Sequence, residues 1–366
     1  MDKVDITIIG AGIVGLAIAE TLSKKNTSCV ILEKNSKFGQ ETSSRNSEVI
    51  HSGIYYQNNS LKARLCVEGN RLLCQYCKKH SIPYLILGKI LAATNEDEIE
   101  DLEKLKKNAV NNGVENLKLL SKREVKTLEP DVQVTDGLLS PSTGIIDTHK
   151  LMQSFLRRTQ DQGALISYDS EVIAIEKLKT GFRITVKKDN YQFETKILIN
   201  SAGLNSDTIA SLAGIDIDKH KYRLNFCKGH YFRTRQKFNI KKLIYPVPAQ
   251  KIHSLGIHLT LDFAGQLRFG PDAHYLEKLD YSMDDTHKND FYTAIKKYLP
   301  AIEPDSLYPD TCGIRPKLQG PDDGFKDFVI SNEASKGLPG LINLIGIESP
   351  GLTASLAIAQ YVRDIL

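Results

Sequence analysis

The first residues with a chemical signature are Gly10-Ala11-Gly12-Ile13-Val14-Gly15, three glycines at the spacing GxGxxG. At that spacing Gly10 permits a tight turn, Gly12 lets backbone approach a diphosphate, and Gly15 lets a following helix pack closely on the preceding strand. A helix that starts here presents unsatisfied N–H groups and the positive end of its dipole to an anion. Glu33, followed by Lys34, closes the unit. Its carboxylate is placed to accept from ribose hydroxyls, and its charge disfavours a 2′-phosphate. The implied chemistry is dinucleotide binding, and the motif alone does not separate a nicotinamide from a flavin.

Several elements must position these residues. Val4, Ile6, Ile8 and Ile9 read as a strand buried on both faces. A helix follows through Leu16, Ala19 and Leu22 and fades at Lys25 and Asn26, before a second strand from Cys29 to Leu32. Further on, Leu151 to Gln162 reads as a helix ended at Gly163. Phe182, Ile184 and Val186, then Tyr191 and Phe193, alternate as a hairpin around Lys188-Asp189-Asn190. Lys196 to Asn200 returns as a strand into Ser201-Ala202-Gly203, and Lys241–Pro248, His253–Thr260 and Gly265–Phe269 read as antiparallel strands. Residues 96–118 read as a solvated surface helix. Near the C-terminus, Leu341 to Leu344 is a short strand. An apolar helix follows through Leu356, Ala359 and Val362, with Ser349 as its expected N-cap and Pro350 at its first position.

The composition sets bounds. With 366 residues, 41% hydrophobic and 25% charged, the chain suits two domains, or one with a second inserted, and a sizeable core. The net charge of +4 is small and dispersed, which argues against nucleic acid as a partner. Cys29, Cys66, Cys74, Cys77, Cys227 and Cys312 are scattered. Cys74 and Cys77 sit in an expected helix without the further ligands a zinc site needs, so no metal is expected and a reducing, cytoplasmic compartment is. The N-terminal apolar run reads as a buried strand rather than a signal peptide, and no apolar run is long enough to span a bilayer.

Later segments carry a resemblance. SSRNSEVIHSGIYY (43–56), SLKARLCVEGN (60–70), INSAGLNSD (199–207), LGIHLT (255–260) and GIESPGLTASLAIAQYV (346–362) together resemble the D-amino-acid-oxidase-like flavoprotein superfamily, and within it most the L-2-hydroxyglutarate dehydrogenase group. GIRPKLQGPDDGFKDF (313–328) departs from that group's usual run. The resemblance implies an α/β fold: a Rossmann-like FAD-binding domain (1–80, 142–218 and 315–366) interleaved with a substrate domain on a largely antiparallel sheet (81–141 and 219–314). It implies non-covalent FAD. Thr42, Ser43, Ser44, Arg45 and Asn46 would meet the pyrophosphate or ring edge. Val172 would pack at the adenine end, while Ala202 and Gly203 let backbone pass close to the cofactor. Gly313, Arg315, Gly346, Glu348, Ser349, Pro350, Gly351, Leu352 and Thr353 would lie by the flavin, where a helix N-terminus stabilises the reduced ring's negative charge.

The implied activity is oxidation of a small 2-hydroxy acid to the 2-oxo acid, with hydride passing from C2 to flavin N5. Such chemistry needs a base and a cation for the carboxylate. His51 is the first choice of base and His258 its rival. Arg315 is the carboxylate clamp, Tyr55 a second orienting group, and Lys228 a weaker candidate for a second carboxylate. In the related sarcosine oxidases a cysteine in a similar region is bonded to the flavin; Cys312 lies near there, and a buried thiol is the preferred reading. An amino-acid or amine oxidase of the same fold is the alternative, and a flavin-binding protein without turnover a third. Electrons would leave to a quinone or to oxygen. The mixed apolar and basic run Phe238–Ile244 suits either a surface strand or a peripheral contact with an inner membrane.

Overall fold

A computed structural model of the chain describes residues 1–248 and 256–366. The strand Lys3–Ile9 forms as read, and its apolar half is fully covered. It runs parallel to Cys29–Leu32 on one side and to Gln192–Asn200 on the other. Both neighbours are themselves apolar, which is why this sheet needs helices on its faces. One of them, Ile13–Leu22, follows the glycine turn directly and buries Leu16, Ala17, Ile18 and Ala19.

The expected hairpin pairs Phe182–Val186 with Gln192–Asn200, around a turn at Lys188–Asn190. Its second arm and the expected return strand are one continuous element. Over its first half Gln192–Asn200 pairs antiparallel with the hairpin partner; over its second half it pairs parallel with Leu341–Ile345. Eight strands make up this mixed sheet.

A second sheet, of nine strands among the described residues, draws on residues 89–140 and 225–317. Its pairings are antiparallel except for Leu243–Pro246 against Lys89–Ala93. Its longest ladder joins Asn225–Thr234 to Leu307–Lys317. The strands expected over Lys241–Pro248 and Gly265–Phe269 shorten to Leu243–Pro246 and Leu267–Phe269. The strand expected at His253–Thr260 lies in part outside the described residues, as does Leu255 of LGIHLT; Leu259–Leu261 is its described portion. A small third sheet, Val49–Ile50, Gly144–Ile146 and Tyr84–Leu85, stands directly before His51.

Three helices complete the frame around the glycine turn. Leu61–His80 carries both Cys74 and Cys77; Ser60 caps its start, accepting from the Ala63 N–H at 3.1 Å. The C-terminal helix Gly351–Ile365 packs with it and with Ile13–Leu22 into one core through Leu65, Leu73, Leu356 and Ile358. All six cysteines are free thiols. No described helix is long and apolar enough to cross a membrane. In the run Phe238–Ile244, Ile240, Leu243 and Ile244 are buried and Phe238 packs on the same core. The apolar half of that run is therefore committed inward, which removes the basis for reading it as a membrane contact.

Candidate active site

The glycine turn explains why the site lies where it does. Gly10 has φ +101°, and a Cβ on Gly15 would stand 2.0 Å from the Gly10 carbonyl oxygen. No other residue lets the strand turn and the helix start this close together. The Ile13 N–H donates to the Ser43 hydroxyl at 2.9 Å, so Ser43 occupies the helix N-terminus where an anion would sit. Glu33 is buried and already engaged. Its carboxylate accepts from the Ala11 and Asn35 N–H groups at 2.9 Å each, which fixes the turn while leaving lone pairs for a further donor. Lys34 pairs with Glu41 at 2.8 Å.

A cavity of about 1060 Å³, open to solvent, begins at this helix end. Its walls come from the whole length of the chain. Ile13, Val14, Thr42, Ser43, Arg45 and Asn46 form one side, Gly313 and Arg315 another, and Glu348–Leu352 a third; His51 and His258 border the same space. Thr42–Ser44 form a single turn, tied to the long strand where the Thr42 hydroxyl donates to the Ile314 carbonyl at 3.1 Å. Gly313 is required at that crossing, since a Cβ there would stand 2.0 Å from the Arg45 carbonyl oxygen. The Arg45 guanidinium sits 4.5 Å from the centre of the Tyr281 ring.

His51 is held at its backbone. Its N–H donates to the Thr353 hydroxyl at 3.0 Å and its carbonyl accepts from Asn70 at 2.8 Å. The ring Nε2 lies 3.4 Å from the Ser349 hydroxyl, and Nδ1 is buried with no hydrogen-bond partner among the described residues. Burial first, and the nearby Lys89 second, push the imidazole down to about 3. His258 stacks on Tyr245 with ring centres 3.5 Å apart. The Arg315 guanidinium donates to the Asp272 carbonyl oxygen, which fixes its head at the cavity wall.

Glu348 anchors the third wall. Its carboxylate meets Lys62 at 2.9 Å and Lys317 at 3.2 Å, all three side chains being 8% exposed. Burial alone would raise this carboxyl; Lys62 and Lys317 outweigh it and hold the group below the usual range.

Several expected positions turn out differently. The C-terminal helix starts at Gly351, one residue later than expected. Pro350 is the residue before it and Ser349 makes no cap bond, its hydroxyl facing His51 and Tyr56 instead. Thr353 is fully buried and acts by pinning the backbone of His51 rather than by lining the cavity. Ser44 turns its hydroxyl to the Gly39 carbonyl. Tyr55 is one layer back from the cavity, its buried hydroxyl without a hydrogen-bond partner among the described residues. Lys228 is bound to Asp280 at 2.9 Å and does not border the cavity. The Cys312 thiol contacts the Tyr281 carbonyl oxygen at 3.2 Å and is likewise absent from the wall. Val172, Ala202 and Gly203 lie at the hairpin and the strand end outside the described cavity, and Gly346 at φ +70° leads the third wall into it.

Lys89 was not anticipated. It is 1% exposed, and its ammonium lies 4.6 Å from the centres of both the Tyr55 and Tyr245 rings. Among the described residues no carboxylate pairs with it, and burial pushes it down to about 7. A lysine heading an apolar strand, KILAA, is the sequence signal that would have exposed it.

Residues 5–365 match the family model described as FAD dependent oxidoreductase. The chain is 39% identical, over 99% of its length and 83% of the relative's, to an L-2-hydroxyglutarate dehydrogenase, mitochondrial, of Arabidopsis thaliana. It is 30% identical, over 99% of its length and 73% of the relative's, to a glycerol 3-phosphate dehydrogenase of Caloramator mitchellensis. Among solved structures, the dithionite-reduced L-alpha-glycerophosphate oxidase of Mycoplasma pneumoniae with FAD bound superposes with a TM-score of 0.89 at 26% identity, covering 100% of this chain and 95% of that one. A family match along nearly the whole chain, on a fold whose glycine turn opens onto this cavity, makes this chain a member of the FAD dependent oxidoreductase family.

Proposed function

We propose that the chain oxidises a small 2-hydroxy acid, of the size and charge of L-2-hydroxyglutarate, to the 2-oxo acid, with His51 and Arg315 at the centre of the reaction. The observation that carries this reading is that a buried imidazole, one nitrogen of which has no partner among the described residues, and a backbone-anchored guanidinium border one cavity. The cavity suits FAD. A helix N-terminus opens onto it, Gly12 leaves space that a Cβ 3.0 Å from the Ser43 hydroxyl would fill, and Gly351–Leu352 bring a second helix N-terminus. Gly10–Gly15 with Thr42–Asn46 would hold the diphosphate and Glu33 the ribose. Bound there, FAD supplies the acceptor for the hydride on C2 of the acid.

Arg315 holds the substrate carboxylate through two parallel hydrogen bonds. His51 takes the hydroxyl proton. It is neutral at working pH, and the charge of a bound carboxylate favours its protonated form, strengthening it as a base only when substrate is present. His258 and Tyr245 form a flat wall that orients the acid. A quinone, or oxygen more slowly, is the final electron acceptor in this reading.

A second reading, a phosphorylated alcohol such as glycerol 3-phosphate, is favoured by the names of the Caloramator and Mycoplasma proteins. Amine oxidation has less support, because both sequence relatives described above are named for alcohol oxidation. Anaerobic mixing of the flavoprotein with L-2-hydroxyglutarate, its D isomer, glycerol 3-phosphate or glycine, while following visible flavin absorbance, separates these. Fast bleaching by the L acid alone is expected; bleaching by glycerol 3-phosphate alone replaces the first reading with the second. His51→Asn and Arg315→Met should each lower kcat/KM by ~100- to 10,000-fold, and full activity in both would remove the site assignment.

A further inference from the structure

Behind Arg315 lies a cluster that the oxidation chemistry does not use. His230, Asp272, His274 and His287 offer one ligand atom each, and these four atoms lie within 4.8 Å of one another. They come from three places in the chain. His230 is on the strand Asn225–Thr234, Asp272 and His274 are at the start of the short strand His274–Leu276, and His287 precedes the helix Lys288–Lys296. His230 Nδ1 is 3.0 Å from both carboxylate oxygens of Asp272, and His274 Nε2 is 2.9 Å from one of them. The His287 ring lies tilted against both others, 4.4 Å from His230 and 4.3 Å from His274, centre to centre.

We infer that these four side chains form a binding site for a divalent transition-metal ion, with Zn(II) the best fit. Three imidazole nitrogens and one carboxylate oxygen make a complete tetrahedral set, and nitrogen-rich sites exclude calcium and magnesium. Metal–ligand bonds of about 2.0–2.1 Å put tetrahedral donors about 3.3 Å apart. The 2.9–3.0 Å contacts with Asp272 would open by a few tenths of an ångström, and the wider separations, up to 4.8 Å, would close as the outer imidazoles turn inward. His230 is 6% exposed, so one ligand is fixed in the core, while His274 and His287 lie towards the surface and give the ion an entry path. Contacts that would hold the ligands in place are already made. Asp272 Oδ1 accepts from the His230 N–H, and the Asp272 carbonyl receives the Arg315 guanidinium. A bound ion would therefore stiffen the peptide on which Arg315 rests, without touching the flavin cavity itself.

The test is a Zn(II) titration of the untagged flavoprotein against a chromophoric chelator, beside His274→Ala and His287→Ala. Both substitutions are towards the surface, and flavin content reports that each variant is folded. One tight equivalent per chain is expected in the wild type, with affinity at least about tenfold weaker in each variant. The wild-type melting temperature should also rise with Zn(II) concentration, and that of each variant should rise less at the same concentration. Wild-type affinity retained in either variant, or no tight equivalent in the wild type, overturns the site.

Discussion

Lys89 is the residue whose environment demands a reason. A lysine buried against two tyrosine rings, with no carboxylate partner among the described residues, costs the fold stability that packing alone does not return. Such expense concentrates at functional sites. Its titration has a definite sign. The folded value, about 7, lies below the 10.5 of the unfolded chain. Between those limits the unfolded state holds more protons, so stability rises with pH across the window and is lost as pH falls back towards 7. Lys89→Met should remove that dependence and raise the melting temperature at pH 6 by roughly 5 °C. Melts of both proteins at pH 6 and pH 9 decide it; a variant that melts lower than the wild type at pH 6 would refute the account. Sequence told part of this story. His51 and Arg315 could be singled out as candidates because a histidine after SSRNS and an arginine after Gly313 match the family resemblance, and both border the cavity. Lys89 and the cluster around Asp272 were not, because their meaning lies in burial and in approaches across 58 residues of chain, which no local spacing displays.

At the scale of elements, the buried Glu348 with Lys62 and Lys317 joins the helix Leu61–His80, the strand Leu307–Lys317 and the segment leading into the C-terminal helix. Removing the anion leaves two ammonium groups in a dry place. Glu348→Gln should therefore destabilise the protein by about 3 kcal/mol, read by denaturant unfolding at neutral pH, and a loss under 1 kcal/mol would show the lysines to be solvated. Because the folded carboxyl lies below its unfolded value, the contribution is complete above about pH 4.5 and fades as pH falls through the folded value. Elements were largely legible: the first strand, the glycine turn, the hairpin and the helices follow from apolar periodicity and turn residues. Their ends were less so. Ser349-Pro350 has the residue types of a helix start, yet the Ser349 hydroxyl goes to His51 and Tyr56 and the helix begins one residue later. Competition from a tertiary partner defeated a sound local preference.

At the scale of the molecule, two sheets share the chain by turns. Residues 3–32, 165–200 and 329–345 supply the mixed sheet, and 89–140 with 225–317 the largely antiparallel one. Hydrophobic pattern predicts each strand but not which sheet receives it, and only the resemblance of whole segments implied the interleaving. That a cavity wall runs from Ile13 to Leu352 also bears on how the protein comes into being. A chain leaving the ribosome presents its glycine turn well before the helix Gly351–Ile365, and that helix packs against the very one that follows the turn. The dinucleotide cradle thus stays open until the helix Gly351–Ile365 has been made, and cofactor capture waits for it. A chain ended at Ile345 should emerge colourless, however much FAD surrounds it, while the full chain takes up the pigment; a yellow truncated protein would mean that the N-terminal turn binds on its own.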